Sequence, residues 1–373
     1  MSIAITTMTG ENYGSVLQGY ALQRVFAEQG NVETHTIGIH PKSRMLQFLR
    51  KYILPGHGQN AQVRMQKLYS DWKNQKKDRK IRKFYFENLT MRYYKSWEKL
   101  NGGEADTHVF VCGSDQIWNP QFQNSPLFYL TFVKSENAVK FSYAASLAVD
   151  KVSEEAARIY QKRLSDFKEI SVREYTGKKI LEGCMEKREV RVDADPVLLL
   201  TEEQWREKVS RRFEGEKYIF VYMLRPQPEL LEYAVEMGNR YDLPVYYIGD
   251  FYYRRKGITT LTDTGVEDFL SVIANASFVV TNSFHATVFS VIFHKHFFSR
   301  AVERTGSRVS DFLYEVGLQE RLLNLQYIPE NLSEEMDFLD ADRCIQEKRN
   351  ASIAYIKRIA AVEKGETYVS ENA

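Results

Sequence analysis

The chain has 373 residues, 43% of them apolar, and a formal net charge of +2. That length favours two domains of ordinary size over one, and the apolar content is too high for a disordered chain. No apolar run approaches the roughly 20 residues needed to cross a bilayer; three scattered cysteines, Cys112, Cys184 and Cys344, give neither a disulfide framework nor a metal spacing, so a reducing cytoplasm is the expected setting.

Met1 to Thr9 enters a strand-like pattern with no basic leader region, and Ile3 to Thr7 is a β-branched run. A turn-rich loop with Asn12 and Gly14 follows. Val16, Leu17, Tyr20, Ala21, Val25 and Phe26 then recur at helical spacing, Gly30 is the expected C-terminal stop, and Val32 to Ile39 predicts a second strand. Strand, glycine-containing loop, helix and strand make a Rossmann-like opening. The loop lacks G-x-G-x-x-G, so the dinucleotide fingerprint is absent. Gly14 reads either as a close approach of backbone to ligand or as a plain tight turn.

Between Lys42 and Lys99 there are 16 Lys or Arg and 4 Asp or Glu, a local charge of +12. Trp72 to Phe86 lacks Gly and Pro and predicts a helix with interleaved aromatics. Such a surface suits phosphates, an acidic glycan or an anionic membrane face, or is simply a solvated insertion. No recognised nucleic-acid module accompanies it. Thr107 to Cys112 predicts a buried strand running into Gly113-Ser114-Asp115-Gln116-Ile117-Trp118-Asn119. Ser114, Asp115 and Gln116 offer hydrogen bonds to hydroxyls there, and Trp118 a face for a sugar ring. Phe141 to Ser146 predicts the next strand and loop. Glu169 to Val172 predicts another strand, which ends at Arg173-Glu174. Val190 to Leu200 is extended around Asp195-Pro196.

A second domain begins with the strand Glu216 to Leu224, followed by a helix from Pro228 to Tyr241 and a strand from Pro244 to Ile248. Phe278 to Val280 reads as a buried strand, Thr281-Asn282-Ser283 as a turn, and Val288, Val291 and Ile292 as a helix. His285 therefore sits where a strand gives way to a helix, the position that opens into the ligand crevice of an α/β sheet. The helix N-terminus suits an anion, and a histidine there can move a proton near neutral pH. A capping or packing histidine is the other reading. Arg304 to Arg308 is a basic loop, and Asp337 to Val362 a long tail helix.

These pieces together resemble the polysaccharide pyruvyl transferase family. The matching motifs are Asn12-Tyr13-Gly14 with Leu17-Gln18 and Tyr20-Ala21-Leu22, Gly113-Ser114-Asp115-Gln116-Ile117-Trp118-Asn119, Tyr143-Ala144-Ala145-Ser146 and Ser171-Val172-Arg173-Glu174. Asp195-Pro196, Thr281-Asn282-Ser283-Phe284-His285 and Ser307-Arg308-Val309 with Asp311-Phe312-Leu313 complete the set. The resemblance implies an α/β fold of two Rossmann-like domains facing across a crevice, as in GT-B glycosyltransferases, with a C-terminal helix returning to the N-terminal domain. The expected divisions are 1–205 on the acceptor side with the basic insertion 42–100, 215–335 on the donor side, and a tail at 336–373.

The resemblance further implies transfer of pyruvate from phosphoenolpyruvate to a sugar of a cell-surface polysaccharide or its lipid-linked precursor, as a cyclic ketal. His285 and Arg173 match the family's catalytic positions. Asn282, Ser283 and Arg308 are expected at the donor, and Asn12, Gly14, Ser114, Asp115, Gln116 and Trp118 at the acceptor. No metal or cofactor is expected. The best-known members carry an Arg two residues before the histidine, where this chain has Ser283. Two rivals follow from the same residues: a GT-B-type glycosyltransferase using a nucleotide sugar, and a non-catalytic glycan-binding module. Peripheral contact with an anionic membrane surface on the cytoplasmic side is a further expectation.

Overall fold

The computed structural model describes residues 2–8, 10, 12–39, 61–122, 125–186, 188–301, 307–325, 328 and 336–366. Thr9 and Glu11 of the first loop, the basic stretch 42–60, Arg304 and the end of the tail lie outside these residues.

Among the described residues the first half forms one parallel sheet from seven strands: β1 (Ser2–Thr6), β2 (Glu33–Ile39), β3 (Met91–Tyr94), β4 (Val109–Cys112), β5 (Val139–Ser142), β6 (Phe167–Val172) and β7 (Val190–Val192). Their order is β3-β2-β1-β4-β5-β6-β7. Helices α1 (Tyr13–Gly30), α2 (Ala61–Asn88), α3 (Trp97–Gly103), α4 (Glu154–Leu164) and α5 (Tyr175–Cys184) connect them. β1 and β4 are buried along almost their whole length, as parallel strands covered on both faces must be.

Short helix α6 (Glu202–Arg206) leads to a second parallel sheet. It contains β8 (Ile219–Met223), β9 (Val245–Gly249), β10 (Ile258–Thr260), β11 (Phe278–Thr281) and β12 (Phe297–Ser299), in the order β10-β9-β8-β11-β12. Helices α7 (Pro228–Tyr241), α8 (Val266–Ala274), α9 (Phe284–Ile292) and α10 (Ser307–Glu315) belong to it, and α11 (Leu339–Glu363) ends the described chain. In each sheet the strand order reverses at one point, between β1 and β4 and between β8 and β11. Such a switch point opens a crevice at the carboxyl ends of parallel strands.

One apolar core runs through both sheets, joining Ile3, Tyr13 and Val111 to Phe220, Phe269, Val279 and Phe289. Tyr13 at the start of α1 stacks on Phe269 of α8 with ring centres 4.2 Å apart, and its hydroxyl reaches Thr264. The tail helix α11 packs on α1, β1 and β4. Gly30 is the last residue of α1 rather than the stop beyond it. The left-handed cap is Asn31, at φ 48°. A Cβ on Gly30 would stand 3.0 Å from that of Ala360, so this glycine lets α11 approach. The basic insertion also holds a strand that its composition concealed: β3 pairs with β2.

Candidate active site

β11 delivers the chain to the switch point of the second sheet. The Asn282 amide is taken up by the chain itself there. Its amide nitrogen donates to Arg225 O and Gln227 Oε1, both at 2.9 Å, and its oxygen accepts from Leu224 N at 3.0 Å. Ser283 is the N-cap of α9 and accepts from Ala286 N. These two expected donor ligands instead fix the turn that presents the next residue but one.

That residue, His285, is 6% exposed. Its ring rests on the backbone of Gly14, at the opposite switch point. A Cβ on Gly14 would lie 2.1 Å from His285 Nδ1. Gly14 therefore makes room for the histidine. His285 Nε2 stands 3.6 Å from Asp195 Oδ2 and has no hydrogen-bond partner. The ring is enclosed, in contrast to the open position expected of a crevice residue.

Around it the strand ends of the first sheet supply a buried cluster of charges. Arg173, just beyond β6, donates from Nη1 to Asp195 Oδ2 at 2.5 Å, and its guanidinium lies 4.3 Å from the centre of the Phe284 ring. Its Nε and Nη2 have no hydrogen-bond partner. Arg308 lies 5.9 Å from the same ring centre and is buried too. It occupies the first turn of α10, not a loop as the sequence suggests. Gln116, in the amide orientation that satisfies both groups, accepts from Arg308 at 2.9 and 3.2 Å. Asp115 accepts from Ser15 at 2.6 Å. Glu174 Oε1 accepts from Ser146, Leu147 N and Ala148 N, pinning the loop after β5.

The charges set one another's protonation. Burial alone would raise the Asp195 carboxyl, but Arg173 and His285 hold it well below the usual carboxylate range. Asp115 is held down against burial by His285, Arg173 and Arg308. Burial and the neighbouring Arg173 push Arg308 down to about 10, so both guanidiniums remain charged at neutral pH.

Three other sequence-derived acceptor residues have structural tasks. The Ser114 hydroxyl, fully buried, donates to Ala144 O at 2.9 Å. Trp118 is fully buried, donates to Phe128 O at 3.0 Å and stacks against Tyr129, so no sugar can lie on it. Asn12 caps α1 by accepting from Gly14 N at 2.8 Å. The site gains residues that the sequence reading left unassigned: Asp195, Glu174, Phe284 and Lys348. A small cavity of about 20 Å³, room for little more than a water molecule, lies among Arg173, Asp195, Phe284, Arg308, Glu315 and Lys348. Lys348, from the tail helix, is paired with Glu315 at 2.5 and 2.7 Å.

This arrangement of two facing parallel sheets is shared with solved structures. The chain is similar to the UDP-GlcNAc 2-epimerase of Methanocaldococcus jannaschii, at 12% identity and a TM-score of 0.53 over 95% of this chain and 99% of that one. It is equally similar to a putative UDP-N-acetylglucosamine 2-epimerase from Listeria monocytogenes, at 10% identity and a TM-score of 0.53 over 99% and 98%. At such identities the likeness is one of fold: two Rossmann-like domains in the GT-B manner. No curated protein matches the sequence. A family model described as polysaccharide pyruvyl transferase matches residues 12–304, a span holding Gly14, Asp115, Arg173, Asp195 and His285. The chain belongs to the polysaccharide pyruvyl transferase family.

Proposed function

We propose that this protein transfers pyruvate from phosphoenolpyruvate to a sugar of a cell-surface polysaccharide or its lipid-linked precursor, closing a cyclic ketal in the cytoplasm. One observation carries the reading. Two buried guanidiniums, Arg173 and Arg308, lie against the ring of Phe284, the residue before His285, and line one small cavity with it. Guanidinium forks bind carboxylate and phosphate bidentately; the Nη2 of Arg173 has no hydrogen-bond partner, and its Nε only an ion-pair contact with Glu174 Oε2 at 3.7 Å.

In this reading two sugar hydroxyls add to the enol carbon. The methylene takes up one proton and becomes a methyl, and phosphate leaves with the other. His285 carries protons between these groups, a role typically worth about 10²–10⁴-fold. Asp195 faces its Nε2 and steadies the imidazolium as it forms. Arg173 holds the donor carboxylate, and Arg308 the phosphate that departs. Asp115 and Gln116 stand on the acceptor side.

The enclosed position of His285 favours a second reading, a glycan-binding module that has kept the fold without turnover. Incubation with phosphoenolpyruvate and a panel of saccharides separates the two. Phosphate release, with a pyruvylidene group on the sugar by mass spectrometry, is expected. The His285→Gln variant should lose turnover and keep donor binding. Glycan binding without phosphate release would support the module, and consumption of a nucleotide sugar in place of phosphoenolpyruvate would support a glycosyltransferase.

A further inference from the structure

Helix α2 carries a stripe that the fold does not use. Met65, Tyr69, Trp72, Lys76, Arg79, Lys83 and Phe86 recur at alternating steps of four and three, and all seven are exposed. A repeat of seven drifts only about 20° per heptad on an α-helix, so three heptads remain on one face. The opposite side is buried: Ser70, Asn74, Lys77, Ile81 and Phe84 pack toward α1, α8 and the loop after β9, where Ser70 meets Tyr252 N.

The exposed apolar side chains are large. Met65 is 67% exposed, Trp72 59% and Phe86 65%. Scattered exposed apolar residues are ordinary, but a contiguous set marks an interaction surface. The second sheet adds to it: Tyr252 lies 5.5 Å from Tyr69, and Tyr69 5.9 Å from Trp72, ring centre to ring centre. Arg254, Arg255 and Lys256 are exposed beside them. α2 holds nine Lys or Arg against three Asp or Glu.

We propose that this face lies flat on an anionic membrane surface. Trp and Tyr favour the headgroup level, and Lys and Arg meet acidic lipids there. Lys76, Arg79 and Lys83 at the middle of the stripe oppose pairing with a second copy of the same cationic helix. No described helix is long and apolar enough to cross a membrane, so the contact is peripheral. The inference stands apart from the identity of the donor.

Sedimentation with vesicles tests it. Binding is expected with phosphatidylcholine–phosphatidylglycerol vesicles, weakening as salt rises, and not with phosphatidylcholine alone. Trp118 and Trp205 are buried, and Trp97 is 36% exposed against 59% for Trp72. A blue shift of tryptophan emission on the vesicles should therefore disappear in Trp72→Phe. The triple variant Lys76→Glu, Arg79→Glu, Lys83→Glu should keep its melting temperature and lose affinity by on the order of 100-fold or more. No binding to anionic vesicles at low salt, or equal binding by the triple variant, overturns the proposal. So does binding to heparin with no shift of Trp72 on vesicles, which would make the face a site for a soluble polyanion.

Discussion

At the level of single residues, the active-site proposal rests on groups that meet because strands end where they do. Arg173→Lys keeps the positive charge and loses the planar fork. One charge-assisted hydrogen bond contributes about 1.5–3 kcal/mol, so donor affinity should fall roughly tenfold to a hundredfold by calorimetry. Unchanged affinity would remove Arg173 from the donor site. Gly14→Ala sets two effects against each other. Alanine favours a helix over glycine by about 1 kcal/mol, but its methyl would occupy the place of the His285 ring, 2.1 Å from Nδ1. Contact that close outweighs propensity, so both the melting temperature and kcat should fall. A stabilised, fully active variant would mean that the ring can move aside without consequence.

The places of His285 and Arg173 just beyond apolar runs were legible in the sequence, and Arg308 stood within a family motif. Trp118 and Ser114 were misread for a physical reason. A polar loop at a strand end looks the same in sequence whether it faces a crevice or folds inward. Here it folds inward, with Trp118 N donating to Ser146 O and Ser146 N to Asp115 O. Nothing in the local composition encodes that direction.

Among elements, β3 was the hardest to read, because its MRYY sequence sits in a stretch dominated by charge. A buried carboxylate organises it. Glu104, just after α3, accepts from Arg92 Nη1 at 2.9 Å, Tyr94 Oη at 2.6 Å and Thr107 Oγ1 at 2.6 Å, and meets His35 of β2 at 3.1 Å. Burial alone would raise this carboxyl, but the bonds to His35, Thr107 and Tyr94 bring it down to about 2. A folded-state pKa below the usual 4.5 means stability that is present above about 4.5 and lost as pH falls through about 2. Glu104→Gln should therefore cost about 3 kcal/mol near neutral pH, with the gap from the parent protein narrowing on acidification. Denaturant titrations at several pH values would check this, and a gap independent of pH would show that the charge contributes nothing. The helices were read more readily. The expected spans Pro228–Tyr241 and Asp337–Val362 correspond to α7 and α11 within two residues at each end, because long runs with helical spacing leave few alternatives.

For the molecule as a whole, alternation of strands and helices announced two parallel sheets. The sequence could not say how closely their strand ends would meet. Trp205 packs edge-on against Phe289 at 5.1 Å, Thr176 bonds Asp311 at 2.7 Å, and the apolar core is continuous. Those contacts join residues more than eighty positions apart, which no local pattern encodes.

The seating of the His285 ring on Gly14 has a kinetic consequence. For His285 to act on an acceptor hydroxyl as proposed, its 6% exposed ring must first be uncovered by a parting of the two sheets. Binding then takes two steps, an opening followed by capture, with domain motions of this kind falling in the microsecond to millisecond range. In rapid-mixing or temperature-jump relaxation, the observed rate constant should approach a limit, the opening rate, as phosphoenolpyruvate concentration rises, where a straight line throughout would mean an already open site. The junction would thus act as a clock, setting the fastest rate at which the protein can begin a new cycle whatever the supply of donor.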